Sequence, residues 1–221
     1  MKSLLIIISV IPMVAAFIAA NLFGFRRLNK AGELSIDLET ILNSLTDKYS
    51  KLDYEFKKRI WVASPLNKSG VAMIDEKYRY SRSSEIIAQQ LIKLGLSGLW
   101  KDYKNMILWR KKCVTSGYIL PPLVFVGCVL GTIVGRVPAM WTIVIVGFVL
   151  AGCICFLWFS RTVENEASSR MITLIENTRV INRVSEEEDL INCIRAWTWV
   201  SLLPGIAISF LMDQSTKDKG E

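Results

Sequence analysis

Long uncharged apolar segments constrain this 221-residue chain more than any other feature. Three of them, residues 4–25, 114–135 and 137–160, contain no charged side chain, and each is long enough to cross a hydrocarbon core of roughly 30 Å as a helix. A fourth, residues 196–212, is shorter and contains Pro204 and Gly205. Because a backbone in lipid must satisfy its own hydrogen bonds, these segments predict helices. The sequence therefore predicts a mainly α membrane protein with about four transmembrane helices.

The apolar segments divide the chain into six parts. We expect an uncleaved N-terminal anchor at 1–25, a cytosolic α+β domain at 26–113, a transmembrane helical hairpin at 114–160, cytosolic helices at 161–195, a last span at 196–212 and a polar tail at 213–221. Within the α+β domain, two short apolar runs at 60–63 and 71–74 flank a turn-rich stretch. This pattern predicts a β-hairpin.

Capping signals predict where two soluble helices begin. Ser35 is expected to cap an amphipathic helix of about 20 residues, whose apolar positions are Leu38, Ile41, Leu42, Leu45, Tyr49 and Leu52. Ser185 is followed three residues later by Glu188, which matches a capping box. This second signal predicts a helix that starts there and runs into the last span.

Basic residues are distributed unevenly. Of the 27 Lys and Arg residues, 18 lie in residues 26–117 and 5 in residues 160–195. With four spans both stretches fall on one side of the membrane, and the positive-inside rule makes that side cytoplasmic. We therefore predict a multi-pass membrane protein whose soluble stretches are cytosolic and whose termini both lie outside. Acidic residues are interspersed with the basic ones and no aromatic-basic RNA motif is present, so no nucleic-acid partner is expected.

Two further groups of residues are expected to contact the bilayer or to pack within it. Aromatic and basic side chains just before the second span suit the lipid headgroup region; they are Trp100, Tyr103, Trp109, Arg110, Lys111 and Lys112. Small residues recur every four positions in the second and third spans. Such residues let helices approach closely in lipid, which predicts a contact through Gly127, Gly131, Gly135, Gly147 and Ala151.

The chain contains no histidine, and its five cysteines show no zinc-knuckle or CxxC spacing. The absence of histidine excludes the Ser-His-Asp triad, the Cys-His pair and every zinc site that needs imidazole. Neither hairpin span carries an ionisable residue, which argues against a transport path. No cofactor is predicted.

Two stretches nevertheless resemble a known family. Residues 80–93, Tyr-Ser-Arg-Ser-Ser-Glu-Ile-Ile-Ala-Gln-Gln-Leu-Ile-Lys, look like the active-site helix of the bacterial membrane-bound neutral zinc metallopeptidases (the YugP-like family), which leads into Ala-His-Glu-Val-Gly-His. Residues 162–170, Thr-Val-Glu-Asn-Glu-Ala-Ser-Ser-Arg, are similar to that family's Pro-Val-Glu-Phe-Asp-Ala-Ser-Arg-Arg stretch. The order of elements along the chain also agrees.

The resemblance implies a lost metal site. Gln89 stands where the family has its first zinc histidine, Gln90 where it has the catalytic glutamate and Lys93 where it has the second histidine. Only Glu164, which matches a candidate third ligand, has an equivalent carboxylate. Amides are poor zinc ligands and Gln90 cannot act as a general base. A second interpretation is that Gln89, Gln90 and Lys93 form the polar face of an ordinary helix.

These observations favour a non-catalytic scaffold, adaptor or regulator, with the lipid bilayer and another membrane protein, or a second copy of the chain, as partners. One alternative is a membrane-bound hydrolase or peptidase with an unrecognised site. Another is a small transporter or channel component. An enzyme should show a cleft with convergent polar groups, a scaffold an exposed apolar patch, and a transporter polar residues between its spans.

Overall fold

A computed structural model of the chain describes residues 2–58 and 64–203. Its secondary structure is mainly helical. In chain order the elements are α1 (Lys2–Ala19), a π-helical turn (Ala20–Phe25), α2 (Arg26–Leu28), α3 (Leu38–Lys48), β1 (Tyr54–Lys57), β2 (Ala72–Asp75), a 3-10 turn (Glu76–Tyr78), α4 (Ser84–Ile133), α5 (Ala139–Thr178) and α6 (Val184–Val200).

Three helices within the described residues are long and apolar enough to cross a membrane. The first is the helical stretch Ile11–Leu28, which runs from the second half of α1 through the π-helical turn to α2. The other two are α4 and α5. The predicted mainly helical fold with long apolar helices is therefore confirmed for this part of the chain. The predicted fourth span begins inside α6, which ends at Val200, and residues 204–212 of that span lie outside the described residues.

The helices α4 and α5 form an antiparallel pair. Thr132 and Thr142 meet beside the connecting turn, with 2.8 Å between their hydroxyl oxygens, whereas Arg110 and Glu164 meet far from it. Gly135 adopts a φ of +73° in the turn, a left-handed conformation that suits glycine. Each apolar span continues into the polar region, so that α5 has 40 residues and α4, which is kinked in its polar half, has 50. Tyr103 alone departs from helical angles inside α4 (φ −130°, ψ 37°).

The polar ends of these helices share one hydrophobic core with α3, the strands and α6. We call residues 29–58, 64–112 and 161–200 the head domain. The predicted apolar face of α3 is confirmed, because its four central positions are at most 1% exposed. The residues that meet in this core include Leu38, Ile41, Leu42, Leu45, Ile87, Leu91, Leu94, Met171, Ile175, Leu190 and Ile194.

The described sheet is a parallel pair rather than a hairpin, and its first strand is not the predicted one, so the predicted pairing of residues 60–63 with 71–74 stays a prediction. The strands β1 and β2 are parallel, with Tyr54 opposite Ala72 and Lys57 opposite Asp75. A parallel pair requires a crossover rather than a tight turn between its strands. A local reversal does exist within the crossover, where the Asn67 amide donates to the Val71 carbonyl at 3.0 Å. The predicted first strand, residues 60–63, lies outside the described residues.

Both predicted helix caps are wrong, and for the first of them a long-range contact explains why. Asp37, rather than Ser35, caps α3 by accepting a hydrogen bond from the Thr40 amide at 3.0 Å, and this helix has 11 residues. Ser35 instead donates both its amide and its hydroxyl to Glu186 on α6, at 2.9 and 2.7 Å. These bonds hold the pKa of the Glu186 carboxyl below its usual range. Because α6 begins at Val184, Ser185 lies inside the helix.

Candidate functional site

The three polar residues Gln89, Gln90 and Lys93, which the sequence resemblance aligns with a zinc-binding helix, lie together on α4 and hydrogen-bond to one another. The Lys93 ammonium donates to Gln90 Oε1 at 2.7 Å, and Gln90 Nε2 donates to Gln89 Oε1 at 3.3 Å. Gln90 is fully buried. A buried amide needs such partners, because an unsatisfied polar group costs free energy in an apolar core. These two hydrogen bonds therefore satisfy the buried side-chain amide of Gln90.

Lys93 is a cation with an amide rather than a carboxylate as its hydrogen-bond partner. Burial lowers the pKa of Lys93 to about 8, against an opposing effect of the Asp75 charge and with a further lowering by Lys77 and Arg110. Desolvation penalises the charged form of a lysine, so this direction follows from its position in the head core. A cation here would repel a metal ion.

Glu164, the fourth predicted site residue, lies on α5 and binds Arg110. Its Oε1 atom accepts from Arg110 Nη2 at 2.6 Å and from Arg110 Nε at 2.8 Å. Both side chains are largely buried, with 12% of Arg110 and 7% of Glu164 exposed. Charge-assisted bonds of this length are among the stronger polar contacts in proteins. The structure thus couples Glu164 to a residue that the sequence analysis assigned to the membrane interface.

Metal-ligating side chains are also scattered elsewhere in the structure. Among residues 2–58 and 64–203, no group of three or more Cys, Asp and Glu side chains is close enough to hold a metal ion. Catalytic zinc sites take three protein ligands. The described part of the chain therefore contains no cluster of these side chains that matches the ligand set of a catalytic zinc site.

The small residues predicted to line the contact between the spans occupy different places. Gly127 is exposed, and a Cβ atom added there would meet no atom within 4 Å. Gly135 forms the turn, and Gly131 faces Val137 just beyond that turn. Gly147 is half-buried and Ala151 is buried. Gly127 and Gly135 therefore do not line the contact. Four-residue spacing does not determine which helix face meets the partner, and Gly135 lies beyond the end of α4 at Ile133.

The predicted interface residues divide into two groups. Tyr103, Trp109, Lys111 and Lys112 are exposed, as side chains that reach a headgroup layer would be. Arg110 instead turns inward to Glu164. Trp100 is half-buried and packs against the turn before β2, where a Cβ atom at Gly70 would lie 2.2 Å from its ring.

The same region contains a cleft that sequence reasoning missed. It has a volume of about 530 Å³ and lies between α4, the end of β1 and the segment that precedes β2. Five of its lining residues are cationic: Lys57, Lys68, Lys104, Arg110 and Lys111. The basic run on α4 was visible in the sequence, but Lys57 and Lys68 come from distant positions that only the fold brings there. We call this the basic cleft.

A second groove of about 450 Å³ lies on another side of the head domain. Leu52, Gly95, Gly98, Met171 and Leu174 supply its apolar surface, and Lys51, Glu166 and Arg170 also line it. An apolar groove is what the scaffold interpretation anticipates, although the groove alone does not specify an occupant.

Comparisons with known proteins give no relative from which a function could be transferred. No family model, no curated protein and no solved structure matches this chain.

Proposed function

We propose that the protein is a non-catalytic membrane scaffold, adaptor or regulator related to the membrane-bound neutral zinc metallopeptidases. The observation that supports this proposal is the bonded set Lys93–Gln90–Gln89 at the positions of the peptidase zinc helix. An ammonium group and two amides supply neither the imidazole ligands nor the catalytic carboxylate of the peptidase helix. The partner in this proposal is another membrane protein or a second copy of the chain.

The zinc content and peptidase activity of the purified full chain test this proposal. We expect less than stoichiometric zinc and no peptide cleavage. One zinc per chain, lost on chelation together with a peptidase activity, would contradict the proposal and favour a hydrolase with an unrecognised site.

A gain-of-function variant tests the proposed relationship separately. The triple variant Gln89→His, Gln90→Glu and Lys93→His supplies two imidazoles four positions apart with a carboxylate between them. We expect zinc uptake by this variant, whereas a control with alanine at the same three positions takes up none. If both variants fold and neither binds zinc, the proposed relationship to the zinc metallopeptidases loses its support.

We further propose that the head domain is cytosolic, that four helices span a bacterial inner membrane and that both termini lie outside. The support is the excess of Lys and Arg in residues 26–117 and 160–195. In a cysteine-free background, a Lys68→Cys variant should resist an impermeant thiol reagent in intact cells and react after permeabilisation. A Gly135→Cys control in the turn between α4 and α5 should react from outside. Labelling of Lys68→Cys in intact cells would contradict this orientation.

A further inference from the structure

We propose that the basic cleft binds the phosphate-bearing headgroup of an anionic phospholipid. This inference goes beyond the proposed function and is independent of the lost metal site. It depends on four features of the cleft: its charge, the contacts that hold its walls, its volume and its distance from the apolar span.

The charge of the cleft is one-sided. Five of its lining residues are basic, and none of the lining residues that the structure describes is acidic. Lys57 pairs with Glu55 and Arg110 pairs with Glu164. Within the described residues, Lys68, Lys104 and Lys111 have no carboxylate within ion-pair distance, and all three are exposed. They are therefore available to an anionic ligand.

Contacts within the protein hold the turn that carries Lys68 and the helical side that carries Lys104. The Asn67 side-chain oxygen accepts from the amides of Ser69 and Val71, at 2.9 and 3.0 Å, which holds the turn that carries Lys68. That turn packs on Trp100 through Gly70, whose φ is +89°. On the helical wall, the Lys104 ammonium lies 5.6 Å from the centre of the Trp100 ring. A site held by such contacts loses less entropy on binding than a flexible one does.

The position and the remaining lining favour a lipid over a soluble anion. Lys111 lies three residues before the uncharged segment that starts at Val114. With a rise of about 1.5 Å per residue, Lys111 lies about 5 Å from that segment and Lys104 about 15 Å from it, so the near end of the cleft lies in the headgroup layer and its far end above it. Leu66, Ile107 and Leu108 add apolar surface that suits the glycerol end of a lipid. A volume of about 530 Å³ is within the range of small-molecule sites.

Native mass spectrometry of the full chain in mild detergent tests the proposal. The probes are short-chain phosphatidylglycerol, short-chain phosphatidylcholine and inorganic phosphate, each titrated separately. We expect one phosphatidylglycerol to bind saturably per chain, at least tenfold more tightly than phosphatidylcholine, because each basic residue near an anionic headgroup adds attraction. Equal affinity for the two lipids would overturn the proposal. Inorganic phosphate binding as tightly as phosphatidylglycerol would overturn the lipid assignment in favour of a soluble anion.

Matched variants locate the site. Lys68→Gln with Lys104→Gln should weaken phosphatidylglycerol binding at least tenfold, whereas Lys30→Gln with Lys101→Gln, two exposed lysines outside the cleft, should change it less than threefold. Equal weakening by the two pairs would mean that net charge alone attracts the lipid. Lys68→Arg with Lys104→Arg keeps the charge and should retain binding. Loss of binding in this arginine variant, with an unchanged elution volume and circular dichroism spectrum, would also contradict the assignment.

Discussion

The helices α4 and α5 meet in two different surroundings, and the contacts that join them differ accordingly. In the head domain the pair is joined by charge and by close backbone approach: Arg110 binds Glu164, and Gly95 lies against the backbone of Ala167. In the apolar half the polar contacts are a hydroxyl pair, Thr132 with Thr142, and a long thiol contact from Cys153 to the Ser116 carbonyl at 3.9 Å.

With the proposed membrane placement, the difference follows from the solvent around each half. In water, burial of apolar side chains drives the helices together, and the contact can then enclose a paired charge. In lipid the surroundings are as apolar as the side chains, so packing and occasional hydrogen bonds must join the helices. The glycines of the apolar half, which spacing alone predicted as the contact, are partly on its outer face, whereas the closest glycine contact lies in the head domain.

The largest expected effect comes from breaking the buried ion pair. Glu164→Gln keeps the shape of the side chain but leaves the Arg110 cation buried without a countercharge, which should cost about 3 kcal/mol or more. Glu166→Gln is the matched control, because Glu166 is 52% exposed and pairs with Arg170; it should cost less than about 0.5 kcal/mol. Reversible unfolding in mixed detergent measures both. Equal losses of unfolding free energy in the two variants would mean that solvent reaches the Arg110–Glu164 pair as freely as it reaches the surface of the head domain.

The second prediction compares the same glycine-to-alanine substitution at two positions on α4. In Gly95→Ala, the new Cβ atom would lie 2.7 Å from the Ala167 carbonyl oxygen and 2.8 Å from Met171 Cγ. Overpacking of this kind should destabilise the protein by about 1–3 kcal/mol. In Gly127→Ala the Cβ atom meets nothing within 4 Å, so no loss is expected.

The same unfolding measurement tests the glycine comparison. A greater loss at Gly127 than at Gly95 would show that the outer face of the apolar half is covered by another protein or a second copy. That result would reverse the contrast between the two halves.

Features that depend on neighbouring residues could be predicted from the sequence, whereas features that depend on contacts between distant residues could not. The apolar face of α3 follows from local periodicity, and Leu38 and Leu42 are buried as expected. The N-cap of α3 does not follow from local sequence, because Ser35 is bound to Glu186, which lies 151 positions later. The parallel pairing of β1 with β2 also depends on a crossover that local patterns do not encode.

The candidate site was only partly predictable for the same reason. Gln90 and Lys93 share one helix and were grouped correctly as neighbours, but the partner of Glu164 was missed. One signal could have identified it. Arg110 and Glu164 both lie 27 residues from Val137, one before it and one after it, and an antiparallel hairpin places such residues opposite each other. The basic cleft has no comparable signal, since Lys57 and Lys68 reach α4 through the packing of β1 and β2.

A third prediction uses pH to compare the half-buried Lys93 with an exposed lysine of the same helix. Because the pKa of Lys93 is lowered from 10.5 to about 8 in the folded protein, the unfolded chain binds more protons between those values. Stability should therefore rise with pH in that window, by about 1 kcal/mol per unit, and this contribution should be flat below pH 8. Lys93→Met should remove the rise, and Lys101→Met, at an exposed position, should keep it. An unchanged slope in Lys93→Met would mean that water reaches Lys93.

The smallest expected effect lies in the apolar half. The Thr132 hydroxyl lies 2.9 Å from the Cys128 carbonyl oxygen and 2.8 Å from the Thr142 hydroxyl, and either hydroxyl can donate in the contact between the two threonines. Thr142→Val removes that contact and keeps the branched shape. Hydrogen bonds between helices in lipid contribute about 0.6 kcal/mol on average, and we expect a loss of that size when unfolding is measured as for Glu164→Gln. A loss as large as that of Glu164→Gln would show that polar contacts join the helices as strongly in lipid as in the head domain, and the contrast between the two halves would then lie in their packing alone.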